Sequence, residues 1–498
     1  MSELYDILEE YGDSDKYPLH GPGHKRKYAA NEFYKDLYKI DVTELPQFDD
    51  LNNADGPLLE AMNRAASIYE SSQSFFLVNG ETAGILASIS AAVPKKGTIL
   101  MQRCSNKSAY DAAILRDLDV RYLYSRMDEE TGVIFPVAIQ DIAEALAVDG
   151  DVDAVYITSP TKDGFYTDLR PIVDYLHEKK IPLIVDASYG AHFGMADFLP
   201  ESPVHSGADV VVESLSRTLP APVQTGLLHV TDGFIDVEKI KKFLGIFQSG
   251  TPSYPLMAGI DECIDFLDIA YNKWQEFYEN RLDLNDKVKE LKHIKVWDYF
   301  NYKNDNLRQR PEMGKMILTV NHKSMDSKEL YRVLVEEYDL QPEAHMPEYV
   351  LITLTVMDSR EDMERLIKAL ESIDKLLESK ETHKELDQDF ERRALGDLSF
   401  LFSADARASE PDKANYPQIP RLAMETRIAE ATESEFRHMP INMCEGFVAA
   451  DFVGLYPPGQ PVIAPGEKIT KEAISVINQY KSKGYEVKGV MGDQIPVL

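Results

Sequence analysis

The sequence predicts an α/β fold built around a mostly parallel sheet, and three observations carry that expectation. From about residue 57 to 240, helical patterns alternate with short β-rich apolar runs, the rhythm of strands joined by crossover helices. Several of those runs are apolar throughout rather than alternating, as strands covered by helices on both faces are. The chain also has 498 residues and is 44% hydrophobic. At roughly 100 to 200 residues per domain, that length allows about two to four domains with sizeable cores, and it excludes wholesale disorder.

The elements follow in order. Residues 1–56 form a polar N-terminal segment containing His20-Gly-Pro-Gly-His24. A large α/β domain is expected over 57–300, with strands at Phe75–Val78, Thr98–Met101, Val120–Tyr124, Ala154–Ile157, Pro182–Val185, Val210–Val212 and Gly226–Val230. In parallel sheets of this kind ligands sit beyond the carboxyl ends of the strands, so the polar residues after each run are the ones to inspect. A helical pattern from about 257 to 295 leads out of that domain. A smaller α+β domain is expected over 301–378, reading Lys315–Val320 as strand, Ser327–Glu337 as helix, Tyr349–Leu354 as strand and Glu361–Leu377 as helix. Residues 379–420, rich in charge, Ser and Pro, read as a linker with some helix. The last domain, 421–498, carries Tyr456-Pro-Pro-Gly459 and Pro465–Thr470, where Pro and Gly mark turns rather than chemistry.

Composition narrows the function. With 53 Lys and Arg against 84 Asp and Glu, the formal net charge is −31. A field of that sign repels nucleic acid and anionic membrane surfaces, so neither is expected as a partner. Cys104, Cys263 and Cys444 are too few and too scattered for a disulfide framework or a zinc site, so no metal is expected and a reducing, cytoplasmic compartment is the simplest reading. The N-terminus lacks an apolar h-region, and no stretch approaches the roughly 18 apolar residues of a membrane span.

An ordered series of motifs stands at the strand ends: Pro22-Gly-His-Lys25, Phe48-Asp-Asp-Leu51, Phe76-Leu-Val-Asn-Gly80, Ile157-Thr-Ser-Pro-Thr161, Val185-Asp186, Gly190-Ala-His-Phe-Gly194, Gly207-Ala-Asp-Val210, Thr218-Leu-Pro220, Gln224-Thr225, Ser249–Tyr254 and Tyr456–Gly459. Through that series the chain resembles, over essentially its whole length, the ornithine/lysine/arginine decarboxylase family, in its compact bacterial form. These are fold-type-I pyridoxal-phosphate enzymes, which use the cofactor as an electron sink while carbon dioxide leaves a basic amino acid. The resemblance implies that the 57–300 domain is of the fold-type-I transferase-like class. It also implies that Asp186 would hold the pyridine nitrogen protonated and that His192 is the second histidine of its motif. On residue chemistry alone, an Asp after a strand can equally cap the next turn, and His192 can equally be a satisfied core histidine.

The departures from the family pattern fall on one pocket. Where the family carries Ser-x-His-Lys-Thr-Leu, with the lysine as imine former, this chain reads Ser214-Leu-Ser216-Arg217-Thr-Leu219. A guanidinium has a pKa above about 12 and does not attack an aldehyde, so Arg217 is expected to be non-functional in that role. Ser216 replaces a charged neighbour of the cofactor phosphate. At the helix start expected to cradle that phosphate stand Glu81 and Thr82, and a carboxylate about 4 Å from a phosphate charge costs about 4 kcal/mol at an effective dielectric of about 20. Asn106 replaces the stacking histidine, and Asp186 is followed by Ala187-Ser188-Tyr189 rather than Glu-Ala-His.

The expectation is therefore a vestigial cofactor site, made of Asp186, Ser214, Ser216, Glu81, Thr82, Asn106 and His192, in which Arg217 pairs with Glu81. No covalently bound cofactor is expected; weak non-covalent binding of pyridoxal 5'-phosphate stays open. So do two other readings: an active decarboxylase with a displaced lysine, Lys162 or Lys107 at other strand ends being the candidates, and a small-molecule-binding homodimer. Fold-type-I enzymes are dimers whose sites are completed by a partner loop, and Ser249, Thr251, Ser253 and Tyr254 resemble that loop. Hence the leading expectation is a non-catalytic or regulatory subunit, as a homodimer or paired with an active paralogous decarboxylase.

Overall fold

The computed structural model describes residues 3–16, 18, 22, 24–26, 32–302, 309–394, 417–456, 460–482 and 486–498. His20 and Gly23, Pro457–Gly459 and residues 395–416 of the expected linker lie outside the described residues.

Helices α1 (Glu3–Asp13) and α2 (Glu32–Ile40) precede α3 (Pro57–Tyr69), β1 (Gln73–Leu77), α4 (Gly80–Ala92), β2 (Thr98–Gln102), α5 (Lys107–Arg116), β3 (Asp119–Leu123), α6 (Ile139–Asp149), β4 (Ala154–Thr158), β5 (Phe165–Thr167), α7 (Arg170–Glu178), β6 (Leu183–Asp186), β7 (Val210–Ser214) and β8 (Gly226–Val230). Seven of these strands form one sheet in the order β1-β8-β7-β6-β4-β2-β3. The run β3-β2-β4-β6-β7 is parallel, and β8 runs antiparallel to both its neighbours. The mostly parallel sheet is thus observed, for the anticipated reason. Val210 and Val212 face one buried apolar cluster with Ile85, Ile99 and Ile184, while Val211 faces another with Leu100, Val155 and Val185. Fully buried strands need apolar residues on both faces. The β6 strand extends one residue beyond the expected run, so Asp186 is its last residue.

Local chemistry sets the helix ends. Asp49, in the left-handed region at φ +71°, accepts the backbone amides of Asp50, Asp55, Gly56 and Leu58 at 2.8–3.1 Å and so shapes the turn into α3. Pro57 occupies the first turn of α3, where its missing N–H goes unmissed. Asn106 caps α5, its side chain accepting from Ser108 N at 3.0 Å.

Beyond the sheet come α8 (Val237–Phe247), α9 (Tyr254–Ile269) and α10 (Tyr271–Val288). The single helical pattern expected over 257–295 is two helices meeting at Ala270. Next are β9 (Ile294–Trp297), β10 (Gln309–Pro311), β11 (Lys315–Val320), α11 (Ser327–Tyr338), β12 (Ala344–His345), β13 (Val350–Thr353) and the long α12 (Arg360–Ala394). An antiparallel sheet ordered β12-β13-β11-β9 packs under α11 and α12. It is not set apart: β10 pairs with β5, and one apolar cluster runs from Leu4 through Phe76 and Tyr254 to Met316 and Leu370.

The C-terminal part contains α13 (Ile428–Glu433), β14 (Arg437–Pro440), β15 (Val453–Tyr456), β16 (Gln460–Ile463), α14 (Lys471–Ser482), β17 (Glu486–Lys488) and β18 (Gln494–Val497). It has its own apolar cluster, which Met127 and Ile134 join from the large sheet's connections. A buried ion pair ties it down. Arg103, just after β2, reaches both Glu467 carboxylate oxygens at 2.5 and 2.7 Å and the carbonyls of Pro461 and Val462 at 3.1 Å, with both side chains 0% exposed. Its guanidinium also lies 4.4 Å from the Tyr122 ring centroid.

Among the described residues, no helix is long and apolar enough to cross a membrane, and no group of three or more His, Cys, Asp or Glu is placed to hold a metal.

Candidate functional site

The carboxyl ends of β4, β6 and β7 converge with the start of α4, and the departures noted in the sequence meet there. Asp186 is 2% exposed. Its Oδ2 accepts the Tyr156 hydroxyl at 3.0 Å, and its Oδ1 accepts both the backbone amide (3.0 Å) and the hydroxyl of Ser188. Register explains the first contact: Tyr156 on β4 stands opposite Ile184, two residues before Asp186, so both side chains leave the same face. Burial pushes the Asp186 carboxyl above the usual aspartate range, although Ser188 and Tyr156 oppose the shift. Burial and the adjacent Asp186 push the Tyr156 phenol up as well, so it stays a donor.

The start of α4 is held from outside. Val78 N donates to Gln248 Oε1 at 2.9 Å, Gln224 Nε2 donates to the Val78 carbonyl at 2.7 Å, and Gly80 N donates to the Gln224 carbonyl at 2.9 Å. Gly80, at φ +67°, turns the chain into the helix in a conformation that costs a glycine little. Glu81 follows in the first turn, where the helix dipole favours an anion.

Arg217 ends a short 3-10 turn, Leu215–Arg217, that follows β7. Its Nη2 donates to Glu81 Oε1 at 2.7 Å, so the expected pair is formed. Its Nη1 donates to the Tyr189 hydroxyl at 3.1 Å, and its guanidinium lies 4.6 Å from the Tyr189 ring centroid. Burial would raise the Glu81 carboxyl, but the Arg217 hydrogen bond and charge, its own backbone amide and the Ser214 hydroxyl hold it below the usual glutamate range. Burial works against the Arg217 charge too, yet Tyr189, Glu81 and Asp186 outweigh it and the guanidinium pKa is raised.

Tyr189 has a second cation against its ring. Lys315 Nζ, at the start of β11, lies 4.9 Å from the centroid and donates to Glu343 Oε2 and Thr353 Oγ1 at 2.6 Å each. The sequence assigns no role to Tyr156, Lys315 and Glu343, and it marks Tyr189 only as a departure. A replacement beside Asp186 was the available signal for Tyr189; Lys315 and Glu343 arrive from the second sheet, which no local motif announces.

The remaining expected residues divide. Ser214 is buried and Ser216 half-buried. Thr82 is exposed and accepts from the Ser108 hydroxyl at 3.2 Å, while Asn106 is engaged in capping α5. His192 Nε2 sits 3.1 Å from Glu312 Oε2, with its ring against Phe193 and Trp274. Lys162 helps lower the Glu343 carboxyl, behind the larger effects of Lys315 and Thr353. Lys107 pairs with Asp111 at 2.8 Å with 80% of its side chain exposed, an ordinary surface contact.

Of the loop expected to serve a partner, Ser249 and Thr251 are exposed and Ser253 half-buried. Tyr254 differs from these three in its surroundings. It is 0% exposed and donates to the Asp49 carbonyl at 2.5 Å, because it opens α9 and turns into the core beside Phe48.

Pyridoxal phosphate requires an amine for the imine, a carboxylate for the pyridine nitrogen and donors for the phosphate. Asp186 meets the second need. The turn after β7 offers a guanidinium in place of the amine, and the start of α4 presents a carboxylate already bound to that guanidinium. These residues do not fit the cofactor as an imine partner.

Comparison with known proteins follows the same line. Residues 2–385 match the family model described as Orn/Lys/Arg decarboxylase, major domain, and residues 410–484 the model described as Orn/Lys/Arg decarboxylase, C-terminal domain. An uncharacterised protein of Bacillus subtilis, YaaO, is 30% identical over 498 residues, covering 98% of this chain and 96% of that one. The arginine decarboxylase of Bacillus anthracis is 25% identical over 503 residues, covering 98% and 94%. Among solved structures, the Francisella novicida lysine decarboxylase superposes with a TM-score of 0.81 at 17% identity, covering 100% of this chain and 81% of that one. The constitutive lysine decarboxylase of E. coli gives 0.77 at 17% identity, covering 100% and 82%. Both structural likenesses carry the fold.

Proposed function

Given that this chain belongs to the Orn/Lys/Arg decarboxylase family, whose members depend on pyridoxal phosphate, we propose that it is a catalytically degenerate member, acting as a non-catalytic or regulatory subunit. One observation carries the reading: the side chain on the turn after β7 is Arg217, and it is bound to Glu81 at the helix start. An arginine forms no imine under these conditions, and a carboxylate at that helix start opposes a phosphate. The basic amino acid handled by its relatives then bears on ancestry rather than on turnover by this chain. The function would be exerted through a partner subunit, either a second copy or an active paralogous decarboxylase, with the exposed Ser249 and Thr251 near the meeting surface. The three free cysteines suit a reducing, cytoplasmic setting.

A second reading has one observation in its favour. Lys315 shares the Tyr189 ring with Arg217, and an amine there could take over the imine, as could Lys162.

The deciding experiment incubates the purified protein with pyridoxal phosphate, records the visible spectrum, reduces with borohydride and maps tagged peptides. The expected outcome is no imine band and no tagged lysine. A tag on Lys315 or Lys162 overturns the non-catalytic reading. Affinity purification from the native host then tests for a co-purifying paralogue.

A further inference from the structure

Glu81, Arg217 and Tyr189 are the residues read from the sequence as departures from the family pattern, and Arg217 touches both of the others. Independent drift would leave the Arg217 guanidinium, 38% exposed, without a counter-charge on the crevice wall. Here each charge has its counterpart. Arg217 spends one nitrogen on Glu81 (2.7 Å) and the other on the Tyr189 hydroxyl (3.1 Å). Beyond the Tyr189 ring the series continues through Lys315 to Glu343 and Thr353. From α4 to the second sheet it runs carboxylate, guanidinium, aromatic ring, ammonium, carboxylate.

The geometry of Lys315 shows that its placement is fixed. Its side chain is 1% exposed, and an ammonium in that position is tolerable only when tied. The backbone of Gly164 passes so close, at φ +88°, that a Cβ there would lie 2.5 Å from Lys315 Cγ. The stem therefore runs in a narrow channel that delivers the ammonium to Glu343, Thr353 and Tyr189.

We propose that this series of side chains is a brace, with Tyr189 as its central member, which joins the crevice end of the large sheet to the β11–β13 sheet. The inference rests on the non-catalytic reading of the site and adds what the residues now do: they hold two sheets in one arrangement. Tyr189 is the member that neither neighbour can replace, because its ring is the surface both cations share. Arg217 fixes that ring at its hydroxyl edge, and Lys315 brings the second sheet to it.

Hydrogen–deuterium exchange on the full-length protein, read by mass spectrometry, tests the brace with Tyr189→Ala, Tyr189→Phe, Arg217→Lys and, as control, Lys107→Ala. Tyr189→Ala is expected to speed exchange about tenfold in peptides covering 315–320 and 343–353, the factor that a lost cation–π contact of roughly 1.4 kcal/mol corresponds to. It is also expected to speed exchange in the first turn of α4. Tyr189→Phe keeps the ring, so 315–320 and 343–353 stay at wild-type rates while the first turn of α4 exchanges faster. Arg217→Lys loses the two-armed contact and acts as Tyr189→Phe does, and Lys107→Ala moves none of these peptides.

Wild-type rates in 315–320 and 343–353 for Tyr189→Ala overturn the proposal, as does a uniform rise across all peptides. Should Tyr189→Ala not fold, unchanged exchange at the first turn of α4 in both Tyr189→Phe and Arg217→Lys overturns it instead. A lysine tagged in the wild-type protein defeats the non-catalytic reading and leaves the exchange pattern as it is, so the two failures are distinguishable.

Discussion

At the scale of single residues, the Glu81–Arg217 pair makes a prediction about acid stability. The folded chain holds the Glu81 carboxyl below its ordinary value of 4.5. Its contribution is therefore complete above that pH and is lost as pH falls through the lowered value. Wild-type protein should melt higher than Glu81→Gln near neutral pH, by on the order of 1 kcal/mol for a partly exposed pair. The gap should close as the solution is acidified below about pH 4. Melting temperature against pH for the two proteins checks this; a gap that persists at low pH would show that the pair acts through packing rather than charge. This pair was legible in the sequence because both members sit on recognisable motifs and their charges are opposite. Tyr156 was not, since an aromatic residue inside an apolar strand reads as core until the register places it two residues from the level of Asp186. The burial of Tyr254 was not legible for a related reason: Ser249 and Thr251 of its motif are exposed, and only the start of α9 turns it inward.

At the scale of elements, two polar clusters decide how helices and loops are set. Asp49 gathers four backbone amides ahead of α3, and those hydrogen bonds hold its carboxyl below the usual aspartate range despite burial. Asp49→Ala leaves these donors without their acceptor. At roughly 1–3 kcal/mol for an unsatisfied buried group, partly relieved by water at this edge, the loss should be about 2–4 kcal/mol by urea denaturation. Asp49→Asn, which retains one acceptor oxygen, should lose less. The second cluster is Arg103–Glu467. Glu467→Ala strands a guanidinium that is 0% exposed, and removing one partner of such a pair costs about 3–5 kcal/mol. Calorimetry should show the C-terminal part melting separately and earlier in that variant; a single transition at the wild-type temperature would contradict the assignment. The strands of the large sheet were legible because burial on both faces demands continuous apolar runs. The break between α9 and α10 was not, because it falls at Ala270, with neither Gly nor Pro to mark it.

At the scale of the whole molecule, the governing quantity is the net charge of −31. Self-repulsion on that scale is screened within about 8 Å at 0.15 M ionic strength. Melting temperature should therefore rise as neutral salt is added from about 10 to 150 mM, where the Debye length falls from about 30 to 8 Å. A fall would mean that specific surface pairs outweigh the overall field. The architecture could be anticipated because each layer follows from local patterning. The union of the two sheets around Tyr189 could not: Arg217, Lys315 and Glu343 lie far apart in sequence, and only the folded chain brings them to one ring.

The Arg103–Glu467 contact also has a consequence in time. Its partners are separated by 364 positions, which a ribosome working at about 5–20 residues per second covers in roughly 20 to 70 s. Throughout that interval the nascent large sheet carries an arginine that its finished interior accepts only with a carboxylate not yet made. Closure of this face therefore waits until Glu467 has been made, and a nascent chain stalled before Glu467 keeps Arg103 open to water and to chaperones.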